Sequence, residues 1–242
     1  MLKIEEAIEK WFARIEDGLT AYGRWQTPVD QVIMASVPLI DNYLTSACLL
    51  AAHRRVLPAK ALLRAVGEFT AKLKYCIAGG TEEAIDERIH RWRKSSWKAY
   101  KDYWEAVRHA CQGSDCAHIE GRILQADKEL AQMTTSHELP PARQILEGVF
   151  PQDFAVRVGV YARHLVATHI DILTLAQTVT EEAGATEFVG DLVEGSLGIE
   201  LDLLSQAYLY VEAVSKHYGW DYAETLSEYK VLTHADDGKR AN

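Results

Sequence analysis

The segment around Arg163 combines residue types that can carry acid–base and phosphate chemistry. Arg163 is followed directly by His164, and His169 comes six residues after the arginine. A histidine has a pKa near neutrality and can move a proton close to pH 7. An arginine presents two parallel donors to a phosphate and stabilises negative charge. The spacing itself is not specific, because Arg157 and His164 also fit it.

Arg163, His164 and His169 resemble the motif of the HEPN superfamily of helical nucleases, in which an arginine and a polar residue precede a histidine. The wider layout also resembles an uncharacterised bacterial helical family that is itself HEPN-like. In that family an early helix carries Arg and Glu four residues apart, as at Arg64 and Glu68, and a late helix carries a Tyr before a His, as at Tyr161 and His169. The resemblance spans roughly residues 30 to 215.

The resemblance implies a metal-independent endoribonuclease of the toxin or phage-defence type. An RNA 2′-hydroxyl would attack the adjacent phosphate, with His169 as the acid–base group, Arg163 as the phosphate clamp and His164 in support. Arg64, Glu68 and Tyr161 would brace the site. It also implies a homodimer with a shared cleft, no cofactor, and a cognate antitoxin or another protein as a partner.

Helix geometry sets a condition on this site. Residues six apart on a regular helix point about 120° away from each other and lie about 9 Å apart along the axis. Arg163 and His169 therefore converge only if the helix breaks or if two subunits share one site. The alternative is that Arg163 forms a surface ion pair and His169 packs within the helix bundle. For Arg64 and Glu68, the alternative is an exposed pair that contributes a few tenths of a kcal/mol.

A basic and aromatic stretch from Arg88 to Lys101 is the candidate contact for single-stranded RNA. It has six Lys or Arg, three aromatic residues and no acid. Basic groups hold phosphates and aromatic rings stack on unpaired bases. The candidate RNA-binding residues are Arg88, Arg91, Trp92, Arg93, Lys94 and Lys98. The alternative is a solvated helix whose Trp92, Ser96, Ala99 and Tyr103 face the core.

Two patterns resemble metal sites, but we predict no metal. His109, Cys111, Cys116 and His118 lie within ten residues of one another. Their Cys-x4-Cys spacing is unusual for a compact zinc site, and a helix–turn–helix with reduced cysteines is the simpler interpretation. Glu87 and His90 form a Glu-x-x-His, but a di-iron bundle needs a second such pair, which we do not find in the sequence.

Composition limits the other classes of function. The net charge is −9, which argues against coating nucleic acid or anionic membrane by bulk charge. The N-terminus does not read as a signal peptide, and the most apolar segment, Val29 to Ala52, is interrupted by polar residues. We therefore predict a cytoplasmic protein with reduced thiols and no membrane partner. A non-catalytic helical binding or scaffold protein is the rival function.

Apolar residues recur at helical spacing along most of the chain, which predicts an all-α bundle of about seven or eight helices, HEPN-like in layout. We expect one domain over residues 1–232 and a disordered tail over 233–242. Helices are predicted from Leu2, Pro28, Pro58, Glu82, Cys116, Phe154 and Glu187, with a last one after Gly219. The helix from Pro28 is apolar around most of its circumference, so we expect it at the centre of the core.

Overall fold

A computed structural model describes residues 2–23, 26–111, 116–135, 137–149, 179–182, 185–188 and 196–237. Eight α-helices lie within these residues. They are α1 (Leu2–Tyr22), α2 (Pro28–Ala52), α3 (Val56–Ile77), α4 (Glu82–Ala110), α5 (Cys116–Ala131), α6 (Ala142–Val149), α7 (Ser196–Tyr218) and α8 (Ala223–Asp237). The predicted all-α bundle of seven or eight helices is confirmed.

One short hairpin departs from the predicted elements. Strand β1 (Val179–Glu182) pairs antiparallel with β2 (Ala185–Phe188). The predicted start of a helix at Glu187 is wrong, because Glu187 lies in β2. The helix predicted from Phe154 lies outside the described residues. β-Branched and aromatic residues in these strands favour extended backbone, and α7 begins only at Ser196.

The start of α2 follows directly from its sequence. Thr27 caps the helix by accepting a hydrogen bond from the Asp30 backbone, and the Asp30 carboxylate accepts one from the Thr27 backbone. Pro28 occupies the first helical turn, where its missing N–H costs nothing. Pro38 lies inside the helix but does not end it.

The core forms around α7 rather than around α2. From Asp202 to Ser215, nearly every residue of α7 is buried, including Leu203 and Tyr210. α7 packs against α1, α2, α3 and α8. In contrast, α2 buries one face and leaves Met34, Leu39 and Leu49 exposed. The prediction that α2 lies at the centre of the core is therefore wrong, because α7 occupies that position.

An ion pair of low exposure joins α3 to α7. Lys74 Nζ lies 2.7 Å from Glu212 Oε2, and the two side chains are 16% and 12% exposed. Burial alone would raise the pKa of Glu212, but hydrogen bonds from Lys74 and Lys216 outweigh it and lower that pKa. Nearby, α3 approaches α7 closely at Gly67, where a Cβ atom would lie 3.0 Å from the Gln206 side chain.

The pair α4–α5 forms a helical hairpin on the edge of the core. Ile89, in the first third of α4, is the one residue of this helix that is buried. α5 buries Ile119, Ile123 and Ala126 along one stripe, which packs against α4. Most of α4 therefore contacts α5 and solvent rather than the main core.

The segment after α5 holds more structure than its prolines suggest. The sequence predicts a loop over 134–152 with one helical turn, whereas α6 has eight residues. Ile145 and Leu146 enter the main core and explain why this helix forms. At the other end, α8 continues to Asp237, beyond the predicted start of the tail at 233.

Among the described residues, α2 is the helix long and apolar enough to cross a membrane by length and composition. A core helix of a folded bundle passes the same test, and α2 contacts α1, α3, α4 and α7.

Candidate functional site

The residues of the predicted catalytic motif fall outside the described part of the chain. The described residues do not include 150–178, and this range contains Tyr161, Arg163, His164 and His169. The geometry that bears on a site therefore comes from α2, α3, α4 and α5.

Arg64 and Glu68 form the expected pair on α3. Arg64 Nε donates to Glu68 Oε1 over 2.8 Å, and their side chains are 21% and 28% exposed. The pair is therefore half-buried rather than a fully solvated surface pair. An arginine and a carboxylate held in fixed geometry at the protein surface can orient a third group, such as a phosphate or a histidine.

The six cations of the basic stretch of α4 all have partners within the protein. Arg91 pairs with Glu87, Arg93 with Glu129, and Lys98 with Glu138. Lys101 pairs with Asp127 and Glu105, and Lys94 donates to the Thr135 carbonyl. Arg88 donates to the carbonyls of Cys76, Ala78 and Gly79. Four of these cations therefore have an acidic partner that offsets their charge, and the other two donate to carbonyl oxygens.

The aromatic residues of this stretch do not form an open stacking surface together. Trp92 packs on Phe69, with ring centroids 5.0 Å apart, at the edge of the core. Trp97 and Tyr100 contact each other and are half-buried. The alternative interpretation, in which Trp92, Ser96, Ala99 and Tyr103 face the core, is right for Trp92 only. Tyr103 is 60% exposed, and Ser96 and Ala99 face solvent.

Arg88 has a structural role at the end of α3. Three carbonyl oxygens at a helix end accept from its guanidinium, at 2.7 to 3.3 Å. Such carbonyls have no partner within their own helix, and a cation there also complements the helix dipole. Gly79 and Gly80 both have positive φ and let the chain turn towards α4 beside this side chain. Arg88 is consequently engaged in holding α3 and α4 together.

An apolar groove of about 750 Å³ runs between α2 and α4. One wall is a face of α2, the other is a face of α4, and Phe69 of α3 lies between them. The lining residues are Pro28, Gln31, Val32, Ala35, Ser36, Leu39, Phe69, Ile89, His90, Trp92, Arg93 and Ser96. The polar members include the exposed side chains of Gln31, His90 and Arg93.

A smaller, polar cavity adjoins the groove. It has a volume of about 160 Å³ and lies between α4 and the end of α5. His90 and Arg93 line both spaces. Glu129, Gln132 and Thr135 supply further polar groups on the other side. Apolar volume and polar groups therefore meet at His90 and Arg93, an arrangement typical of sites for small molecules.

The sequence analysis missed this groove, although part of its signal is present. The lining residues of α2 recur at helical spacing and form a second apolar face beside the core stripe. The same apolar residues also predict a central position in the core, so the sequence does not mark this face as open. Which face lies open depends on how α4 packs, and that packing is set by contacts such as Phe69 with Trp92.

No group of three or more His, Cys, Asp or Glu side chains is arranged to hold a metal within the described residues. Cys111, just after α4, and Cys116, at the start of α5, form no disulfide. Cys48 and Cys76 are buried in the core, where burial raises the pKa of each thiol to about 12. These two thiols therefore act as small apolar groups rather than nucleophiles.

No family model matches the sequence, and neither the curated proteins nor the solved structures contain a match to it.

Proposed function

We propose that this protein is a metal-independent endoribonuclease of HEPN-like type. The observation that carries the proposal is the sequence motif of Arg163, His164 and His169 in an all-helical chain. The Arg64–Glu68 pair on α3 supports it, because it has the residue types and the spacing of the resembled family's early helix. His169 moves the proton of the attacking 2′-hydroxyl, Arg163 holds the phosphate, and His164, Arg64, Glu68 and Tyr161 brace them.

The proposed enzyme is a homodimer in which two subunits share a cleft. If Arg163 and His169 lie on one regular helix, they point in different directions and need a partner subunit to complete each site. Mixing Arg163→Ala and His169→Ala subunits tests this. For a shared site, half of the dimers carry one intact site of two, so about a quarter of wild-type cleavage returns. Activity that stays absent after subunit exchange contradicts a shared site.

A growth assay tests the proposal in cells. Expression of the wild type in a bacterial host should slow growth, and His169→Ala should relieve the effect at equal soluble protein. His137→Ala is the matched control, because His137 is exposed in a loop, and it should remain toxic. Equal growth with wild type and His169→Ala at equal expression contradicts the nuclease proposal.

A second function, a non-catalytic helical binding protein, is favoured by one specific observation. The basic stretch of α4 is neutralised within the protein by partners such as Glu129 and Glu138. A cation that already has an acidic partner offers less to a phosphate backbone, since that partner must first be displaced. The RNA contacts through Arg88, Arg91, Trp92, Arg93, Lys94 and Lys98 are therefore the weakest component of the nuclease proposal.

A further inference from the structure

The groove between α2 and α4 has the dimensions and polarity of a small-molecule site. Its volume of about 750 Å³ falls in the range of about 300 to 1,000 Å³ that is typical of ligand pockets. Val32, Leu39 and Phe69 supply apolar surface along it. Leu39 is 45% exposed, so within the described residues this face of α2 has no helix packed fully over it.

One rim of the groove carries a solvent-exposed arginine. Arg93 is 58% exposed, and its guanidinium lies 3.0 Å from Glu129 Oε2. The Glu129 side chain is 27% exposed, and ion pairs near the surface contribute about 0–1 kcal/mol. An anion that also gains apolar contact within the groove can therefore displace Glu129 from Arg93. His90 lies beside Arg93 on the same rim.

The geometry points to a binding site for a small amphipathic anion, with an apolar ring system or chain in the groove and one carboxylate or sulfonate on Arg93. The apolar part would lie against Phe69 and Trp92, which contact each other and both line the groove. The anionic group would lie where the groove meets the small polar cavity. Among the described lining residues none belongs to the catalytic motif, so the inference does not rest on the proposed nuclease activity.

A pair of fluorescent probes tests both parts of the site. Anilinonaphthalene sulfonate has an apolar body and one anionic group, and phenylnaphthylamine is its neutral counterpart. The folded full chain should bind both with saturation at one site. Ala35→Trp fills the groove from an exposed position. It should lower the affinity for both probes by about tenfold or more, because about 50 Å² of apolar contact is lost. Leu49→Trp, at a 59% exposed position of the same helix outside the groove, should change neither.

Two substitutions then separate the role of the cation from that of its ion pair. Arg93→Gln should lower the affinity for the sulfonate probe by about fivefold and leave the affinity for the neutral probe unchanged. Glu129→Gln removes the competing carboxylate and should raise the affinity for the sulfonate probe. Both changes break the same ion pair, so equal effects in one direction would overturn the assignment of Arg93. Absence of saturable binding by the folded wild type would overturn the site, and this covers the case in which another part of the chain fills the groove. Equal binding by Ala35→Trp and wild type would also overturn it.

Discussion

The side chains of Ser36 in α2 and Tyr210 in α7 are joined by a hydrogen bond of 2.8 Å inside the core. Ser36 donates its own proton to the Ile33 carbonyl, so Tyr210 donates to Ser36. Burial raises the pKa of Tyr210, which keeps its hydroxyl protonated. Ser36 also lines the groove, and this bond therefore fixes one groove wall to the central helix.

Tyr210→Phe should lower the free energy of unfolding by about 1 kcal/mol, because Ser36 loses its donor while the ring packing stays. Urea denaturation measures the difference. Tyr103→Phe is the control, since Tyr103 is 60% exposed and its hydroxyl is free to bond with water. Equal stability of Tyr210→Phe and wild type would contradict the structural role of this bond.

Two helical glycines should respond to alanine in opposite ways. A Cβ atom at Gly18 of α1 would lie 2.9 Å from the ring of Trp220, whereas nothing lies within 4 Å of one at Gly121 of α5. Alanine is favoured over glycine in helices by about 1 kcal/mol. Gly121→Ala should therefore stabilise the protein by up to about 1 kcal/mol. Gly18→Ala must displace the Trp220 ring and should therefore destabilise the protein by about 1 kcal/mol net. Thermal unfolding compares them, and stabilisation by Gly18→Ala would show that the α1–Trp220 contact is loose.

Glu228 connects α8 to α1 and gives the protein a defined pH dependence. Burial would raise the pKa of Glu228, but hydrogen bonds from Lys10, Trp11 and Arg14 outweigh it and lower that pKa to about 2. Because the unfolded carboxyl titrates near about 4.3, this stabilisation is fully present above that pH. It is lost as the pH falls through the folded value of about 2.

Glu228→Gln should accordingly be less stable than wild type by about 1 kcal/mol at pH 7, and the difference should shrink as the pH falls below about 4. Denaturation at several pH values measures it. Glu224→Gln is the matched control, because Glu224 contacts the same Lys10 and Arg14 but is 69% exposed. A difference between Glu228→Gln and wild type that does not depend on pH would contradict the ionic role of Glu228.

The α3 pair offers a test of the proposed support for the catalytic residues. Glu68→Gln keeps the shape of the side chain but removes the charge that holds Arg64. It should lower RNA cleavage by about tenfold through misplacement of the site, while the unfolding free energy falls by less than about 1 kcal/mol. Glu105→Gln, in the i,i+4 pair with Lys101 on α4, should leave cleavage unchanged. Equal cleavage by both variants would assign the α3 pair to stability alone.

Local sequence signals determined most of the fold that could be predicted. The starts of α2 and α4 follow from Thr27 and Thr81, which cap them, and Gly79 and Gly219 mark turns after helices through their positive φ. Helical periodicity then predicted the all-α class. These signals act over three or four residues and need no tertiary contact.

Features set by distant contacts could not be predicted in the same way. The partners that neutralise Arg93, Lys94 and Lys98 lie 36 to 41 residues away, so the stretch from Arg88 to Lys101 looks basic in sequence but is paired in space. The central position of α7 likewise depends on which helices surround it, since α7 is less apolar than α2. The groove arises from the same packing choice, because α4 approaches α2 without covering its second apolar face.

Cleavage of a labelled, mostly single-stranded RNA in EDTA, by wild type and by His169→Ala, tests the proposed ribonuclease activity most directly. The predicted result is cleavage by the wild type, with cyclic phosphate and 5′-hydroxyl ends, and its loss in a folded His169→Ala variant. His137→Ala should cleave like the wild type. Cleavage that persists in His169→Ala, or none by a folded, dimeric wild type across RNAs of varied sequence and structure, would contradict the ribonuclease proposal and favour the binding protein.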